Sequence, residues 1–330
     1  MKKIAIIGGD GIGPEVVSSA VRLIESLDVK LEFIPAEMGL ECYRKNGSFI
    51  PEATIEALEQ SDACLFGAVT TALEERKGPS ILFLRKHFDL YANVRPVRRL
   101  HPSIGLVDLD VVIVRENTEG MYTGIERADT DGVTLERRVT ERASRRIVRF
   151  ALGLCRNESR KRLTCVHKAN AMRMSDGLFR RVFFEETKGS EIDPQEMLVD
   201  AAAAALVLRP KDLDCVVTLN LYGDILSDEA AALAGGLGFG PSGNIGDRYA
   251  IFEPSHGSAP DIAGTGMANP VAAMLSGAMM LRYLGESAQA ARIEKVIRLG
   301  LAREVKTYDV GGTYKTAPYT EALIGLLDEV

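Results

Sequence analysis

The chain has 330 residues, of which 46% are hydrophobic and 26% charged, and its net charge is −6. That length predicts about two domains, and the composition supplies enough apolar material for cores, which excludes a disordered chain. The acidic balance and the lack of a long basic patch exclude nucleic acid as the main partner. No apolar run approaches the ~20 residues of a membrane helix.

Five cysteines occur, Cys42, Cys64, Cys155, Cys165 and Cys215. They are odd in number and form no Cys-x-x-Cys pair, which predicts free thiols in a reducing cytoplasm. The apolar run after Met1-Lys2-Lys3 stops at Gly8-Gly9-Asp10, too soon for a signal peptide.

Residues 3–7 read as a buried strand ending in glycines. Pro14 opens a helix whose Val17, Ala20, Val21, Ile24 and Leu27 recur at helical spacing. A strand over 31–34, a helix over 52–60 and a strand over 63–69 follow. This alternation predicts an α/β fold with a largely parallel sheet. Next comes a strand over 111–114. Segments 122–127 and 133–139 then flank Ala128-Asp129-Thr130-Asp131-Gly132, a hairpin signal. Such a hairpin cannot bury both of its faces alone, so it packs either on a second subunit or on its own domain. Helices are expected over 141–154, in the alanine run 201–205, over 224–233 and over 270–283.

Gly8-Gly9-Asp10-Gly11-Ile12-Gly13 sits between a strand and a helix, but Pro14 stands where a dinucleotide fingerprint needs its third glycine. A tight turn is the simpler reading, with Asp10 and Glu15 lining a cleft. In Tyr222-Gly223-Asp224-Ile225-Leu226-Ser227-Asp228 the two aspartates are four apart and share a helix face. They suit a hard divalent cation or are simply solvated acids. Arg85, Arg95 and Arg115 end apparent strands or helices, and together they would suit a di- or tricarboxylate. Tyr122 and Lys168 are candidate proton donors or acceptors. The small residues in Glu253-Pro254-Ser255-His256-Gly257-Ser258-Ala259-Pro260-Asp261-Ile262-Ala263-Gly264, followed by Asn269-Pro270, let backbone approach a ligand closely. An acid beside such a loop can accept bonds from both hydroxyls of an adenosine ribose.

Collectively these motifs resemble the β-decarboxylating dehydrogenases, the isocitrate, isopropylmalate and homoisocitrate dehydrogenase family. The resemblance runs from Gly9-Asp10-Gly11-Ile12-Gly13-Pro14-Glu15 to Asp309-Val310-Gly311-Gly312. It implies an isopropylmalate dehydrogenase-like two-domain fold that is not Rossmann. The large cofactor-binding domain would comprise 1–94 plus 236–330. The small domain, 95–235, would carry the dimer interface and a protruding β-arm. It further implies a cytoplasmic homodimer with shared active sites, no membrane and no nucleic acid, acting on a small 2-hydroxy acid. By position, Arg85, Arg95 and Arg115 would bind substrate carboxylates, with Tyr122 as general acid. Asp224 and Asp228 would hold Mg²⁺ or Mn²⁺ with Asp200 of the other subunit, which would also lend Lys168. His256, Gly257, Ser258, Ala259, Asp261, Ile262 and Asn269 would hold the cofactor.

The implied chemistry is oxidation of a 3-substituted malate at C2, loss of CO₂ and protonation of the enolate by Tyr122, with a divalent ion stabilising negative charge in both stages. Asp261-Ile262, where NADP-using relatives tend to carry Lys-Tyr, points to NAD. Tyr308 matches NADP-dependent isocitrate enzymes, but Gly312 replaces their arginine. Ile81 and Leu82 offer an apolar wall that suits an isopropyl group and would leave a third carboxylate unpaired. The first-choice reaction is therefore 3-isopropylmalate to 2-oxoisocaproate, in leucine biosynthesis. Thr70-Thr71 and Ser80 resemble isocitrate enzymes, and Gly78 replaces an acid common in isopropylmalate enzymes, so isocitrate, homoisocitrate and methylmalate stay open. The other classes are a non-catalytic subunit of a hetero-oligomer and a dehydrogenase that does not decarboxylate.

Overall fold

The computed structural model describes residues 1–70 and 81–330. It opens on strand β1 (Lys2–Gly9) and helix α1 (Gly13–Glu25), whose Val16, Val17, Ala20, Leu23 and Ile24 form one buried face. Then follow β2 (Leu31–Ala36), α2 (Leu40–Asn46), α3 (Glu52–Glu59) and β3 (Ala63–Ala68), the last buried at every residue. Next are α4 (Ile81–His87), β4 (Ala92–Arg98) and β5 (Asp110–Glu116). Thr71, Gly78 and Ser80, which bear on substrate choice, lie outside the described residues.

The hairpin is present as β6 (Glu126–Ala128) paired antiparallel to β7 (Val133–Leu135). Its strands are shorter than the sequence suggests. The residues of β6 and most of β7 are exposed, so no packing extends the ladder. Asp129 Oδ1 accepts the N–H groups of Asp131 and Gly132 and closes the turn.

The chain continues through α5 (Glu141–Asn157), β8 (Arg162–His167), α6 (Ser175–Thr187), β9 (Asp193–Leu198), α7 (Val199–Leu208) and β10 (Cys215–Thr218). The remaining elements are α8 (Asn220–Ala234), β11 (Pro241–Ile245), β12 (Ala250–Pro254), α9 (Val271–Tyr283), α10 (Ser287–Ala302) and α11 (Thr316–Ile324).

Among the described residues ten strands form one sheet in the order β2-β1-β3-β12-β11-β4-β5-β10-β8-β9. Its two flanks are parallel, as the alternation predicts. Its centre is not: β11 runs antiparallel to β12 and β4, and β4 to β5. The reason is local. β11 and β12 are joined by a short turn, in which Gly246 N–H donates to the Tyr249 carbonyl at 2.9 Å, and no helix separates β4 from β5. Helices α1, α9, α10 and α11 pack around one core with Leu65 and Phe252. Helices α5 and α6 build another on β8 and β10 through Ile147, Phe179 and Phe183.

The glycine turn after β1 binds backbone, as its spacing suggests. A Cβ on Gly13 would stand 2.1 Å from the Gly8 carbonyl oxygen. Asp10 is buried, and its carboxylate accepts N–H groups from Leu40, Glu41 and Thr70. It ties loops together instead of facing a cleft. Glu15 accepts the Thr316 hydroxyl. All five cysteines are free and buried. No helix among the described residues is long and apolar enough to cross a membrane.

Candidate active site

The site forms where β4, β5 and α8 meet. Arg95 and Arg115 lie on the neighbouring strands β4 and β5 and are almost fully buried. Buried guanidinium groups need several acceptors, and α8 provides them. Arg115 Nε and Nη2 donate to Asn220 Oδ1 at 3.0 and 2.7 Å, and Nη1 pairs with Asp224. Arg95 Nη1 donates to Ser227 Oγ and Asp228 Oδ1, both at 2.8 Å, and its Nη2 stands 3.2 Å from Asp224. The helix begins at Asn220, four residues before the expected start, because this whole face is needed. Gly223 sits inside it for lack of room: a Cβ there would lie 2.6 Å from Arg115 Cβ.

Tyr122 completes the group. Its hydroxyl donates to Asp224 Oδ2 at 3.4 Å, and its ring lies 5.7 Å from the Arg115 guanidinium carbon. A cavity of about 640 Å³ opens beside Tyr122, lined by Lys86, Arg138, Arg142 and Arg146 and by the acids Asp89 and Glu119, of which Asp89 pairs with Arg146.

Arg85, on α4, is buried against Glu253 at 3.4 Å, and its Nε has no partner among the described residues. A chain of buried side chains connects it to Arg95. Glu253 accepts from Asn244, Asn244 accepts from Asn93, and Asn93 accepts from Arg95 Nε. Leu82 lies three residues before Arg85 and so near its helix face, whereas Ile81 packs against the core around Leu84 and Leu90.

Burial pushes the Arg115 guanidinium down, to about 10, with Asp224 opposing and Arg85 and Arg95 adding like charge; it stays charged at neutral pH. Burial likewise lowers Arg85, against the pull of Glu253. Burial raises Asp228, which Arg95 counters and Asp224 reinforces. The side chains of Asp224 and Asp228 remain 36% and 47% exposed, so their oxygens are reachable.

Lys168 and Asp200 lie elsewhere. Lys168 follows β8, Asp200 opens α7, and the two form an ion pair. The hydrogen bond from Lys168 lowers the Asp200 carboxyl. Within one chain neither bonds to Asp224 or Asp228. Among the described residues no three His, Cys, Asp or Glu side chains gather as a metal cluster.

The loop after β12 stands beside the glycine turn. The Ser258 carbonyl accepts Ile12 N–H at 2.8 Å, and Ser258 Oγ accepts the Thr70 hydroxyl at 2.8 Å. The close approach explains Gly11, whose Cβ would meet the Ser258 carbonyl oxygen at 1.9 Å. Ala259 takes a φ of 38°, and a 3₁₀ turn then presents Asp261 and Ile262 to solvent. Asn269 Nδ2 donates to Asp309 at 2.9 Å, and its Oδ1 accepts Val271 N–H at the start of α9. The His256 ring is lowered by burial, and its Nε2 is buried without a partner among the described residues. A buried polar atom without a partner in a small-residue loop is a fitting contact for a ligand.

Residues 3–323 match the isocitrate/isopropylmalate dehydrogenase family. The chain belongs to this family. It is 47% identical to the isocitrate/homoisocitrate dehydrogenase of Thermus thermophilus, over 98% of each chain. It is 45% identical to the 3-isopropylmalate dehydrogenase of Methanothermobacter thermautotrophicus, over 95% of each. The crystal structure of isocitrate dehydrogenase from Methylococcus capsulatus matches it with a TM-score of 0.96 at 39% identity, covering 99% of both chains. The protein is thus an oxidatively decarboxylating dehydrogenase with the α/β fold of its family.

Several groups that hold this dehydrogenase's site together carry no local signal. Asn93, Asn244 and Glu253 are single polar residues on β4, β11 and β12, for which the sequence offers no strand pattern. Asn220 and Glu253 stand beside recognisable motifs, yet their partners become visible only in three dimensions.

Proposed function

We propose that the protein oxidises and decarboxylates a 3-substituted malate, with NAD and Mg²⁺ or Mn²⁺, in a cleft between domains 1–94 plus 236–330 and 95–235. The observation that carries this reading is the convergence of Arg95, Arg115, Tyr122, Asp224 and Asp228, with Arg85 linked to them through Glu253, Asn244 and Asn93.

Three arginines suit the two carboxylates of a malate, gripped through parallel hydrogen bonds. Asp224 and Asp228 supply hard oxygen donors, but fewer than a divalent ion takes. Asp200 of a second copy and the substrate's own oxygens would fill the set. When bound, the ion supplies positive charge for the oxyanion character of both stages. NAD, when bound, accepts the hydride. Lys168 of the second copy takes up the hydroxyl proton, and Tyr122 donates a proton to the enolate carbon. His256, Gly257, Ser258, Ala259 and Asn269 line the adenosine. Asp261, next to Ile262, accepts the ribose hydroxyls and would repel a 2′-phosphate. A homodimer agrees with large apolar side chains left exposed before α6 and on α7 and α8: Met174 (90%), Leu208 (76%) and Ile225 (57%).

The substrate favoured is 3-isopropylmalate, because Leu82 presents an apolar side chain one turn before Arg85. Homoisocitrate is the second reading, favoured by the name of the Thermus relative. A panel of 3-isopropylmalate, isocitrate, homoisocitrate, malate and tartrate, with NAD and NADP, separates them when NADH and CO₂ are both measured. Turnover of homoisocitrate without 3-isopropylmalate would overturn the first choice. Leu82→Arg should move kcat/KM towards a tricarboxylate by about 10- to 100-fold; no change would remove Leu82 from the substrate wall.

A further inference from the structure

One interior carboxylate takes no part in the arginine–aspartate group. Asp176, in the first turn of α6, is fully buried. A buried charge persists only when it is paired and hydrogen-bonded, and Asp176 has both kinds of partner. Its Oδ1 lies 2.5 Å from Arg137 Nη1. Its Oδ2 accepts the backbone N–H of Lys168 at 2.7 Å and the Tyr222 hydroxyl at 3.1 Å.

These three donors come from three separate parts of the chain. Arg137 lies on the return from the arm, after β7. Lys168 follows the end of β8. Tyr222 is in the first turn of α8, two residues before Asp224. Arg137 also lies over the Tyr222 ring, 5.5 Å from its centre, and donates to Ser175 Oγ at 3.0 Å. Asp176 is the point at which all three are fastened.

We propose that Asp176 is a positioning residue for catalysis: it fixes the backbone of Lys168, and so the direction of its Nζ, relative to the helix that carries Asp224 and Asp228. The proposal rests on the reading of Lys168 as a proton-handling residue. The physical reason lies in the loop. Residues 170–174 are exposed, and Lys168 begins this excursion from the sheet. Among the described residues the Lys168 carbonyl accepts only the turn bonds of Ala171 and Met172. Its side chain is long and meets one partner, Asp200. The bond to Asp176 is the anchor of Lys168 to a buried side chain. In the dimer proposed above, Lys168 serves the second copy's site and Asp224 its own. Asp176 would then hold parts of two sites in register.

The test is a mutant cycle in the intact protein, run with metal, NAD and 3-isopropylmalate, or whichever acid the substrate panel selects. Asp176→Asn keeps size and shape but loses the charge that Arg137 requires. Its kcat should fall about 10- to 100-fold, since small misplacements of a reacting group cost that much, while KM stays within about twofold. Asp176→Glu should restore most of the rate. In a Lys168→Ala background, Asp176→Asn should cost nothing further, because the group it positions is gone. An equal loss in both backgrounds, or a rise in KM with kcat unchanged, overturns the proposal while leaving Lys168 in its role. Full activity of Lys168→Ala removes Lys168 from the chemistry, and the proposal falls with it. If Asp176→Asn does not fold, Arg137→Lys goes through the same cycle. A smaller kcat loss that vanishes without Lys168 supports the proposal, and an additive one overturns it.

Discussion

Two pairs of charged residues in this dehydrogenase look alike on paper and differ in construction. Around Asp224 and Asp228, Arg95 and Arg115 are almost wholly buried and each makes several bonds. Lys168 and Asp200 are a single ion pair, with 26% and 64% of their side chains exposed. The arginine bonds of the first group are complete within one chain. The second is surface electrostatics, which alone contributes little to stability. The contrast agrees with the shared site proposed above, to which a second chain would add Lys168 and Asp200.

The largest effect should come from the first group. Asp224→Asn removes the negative charge that faces Arg95 and Arg115 and one of the two carboxylate oxygens, which serve these arginines and Tyr122 and would serve the metal. We expect kcat/KM to fall about 10³-fold, the scale on which preorganised charge acts, with the circular-dichroism spectrum of the parent. Activity close to the parent would take Asp224 out of the chemistry. Mixing subunits sharpens the comparison. Asp224→Asn and Asp200→Asn chains should each be nearly inactive. If sites are shared across a dimer, unfolding and refolding them together should restore about a quarter of the parental sites, because half of the random dimers carry one intact site. No recovery would mean that Asp200 does not serve a partner's Asp224.

The packing beneath the cluster gives a smaller test. In Gly223→Ala the new methyl must displace Arg115. We expect about a 10- to 100-fold loss of kcat/KM and about 1–3 kcal/mol of destabilisation from overpacking, read by chemical unfolding. Stability lost without any change in rate would show that Arg115 can move freely.

How far these features can be read in sequence follows the same divide. The α/β alternation, the helix of Asp224 and Asp228 and the strand end of Arg115 are periodic or local, and they are legible, whereas Arg95 lies in the middle of β4 and not at its end. The antiparallel centre of the sheet is not, because it depends on which strands become neighbours. The start of α8 is missed because glycine is a poor helix former in isolation; only the approach of Arg115 explains Gly223. Asp176 and Glu253 are single acids among many in the sequence. Their weight comes from burial and from donors up to 168 residues away.

The smallest effect separates charge used for chemistry from charge used for the fold, and it lies at the other end of the same strands. Asp214, just before β10, accepts the N–H groups of Lys161 and Arg162 at 2.6 and 3.0 Å and pairs with Arg160 at 3.1 Å. Burial works against its charged form, but the two N–H groups and Arg160 outweigh it and hold its carboxyl below the usual range. A carboxyl lowered by folding contributes stability above its unfolded value of about 3.9, and that contribution is lost as pH falls through the lower, folded value. Asp214→Asn should therefore cost about 1–3 kcal/mol at pH 7, with kcat and KM unchanged. The gap between variant and parent in urea unfolding should persist at pH 5 and close below about pH 4. A gap of equal size at pH 7 and pH 3 would show that shape, not charge, makes Asp214 matter. A fall in kcat would show that the two ends of these strands are not independent.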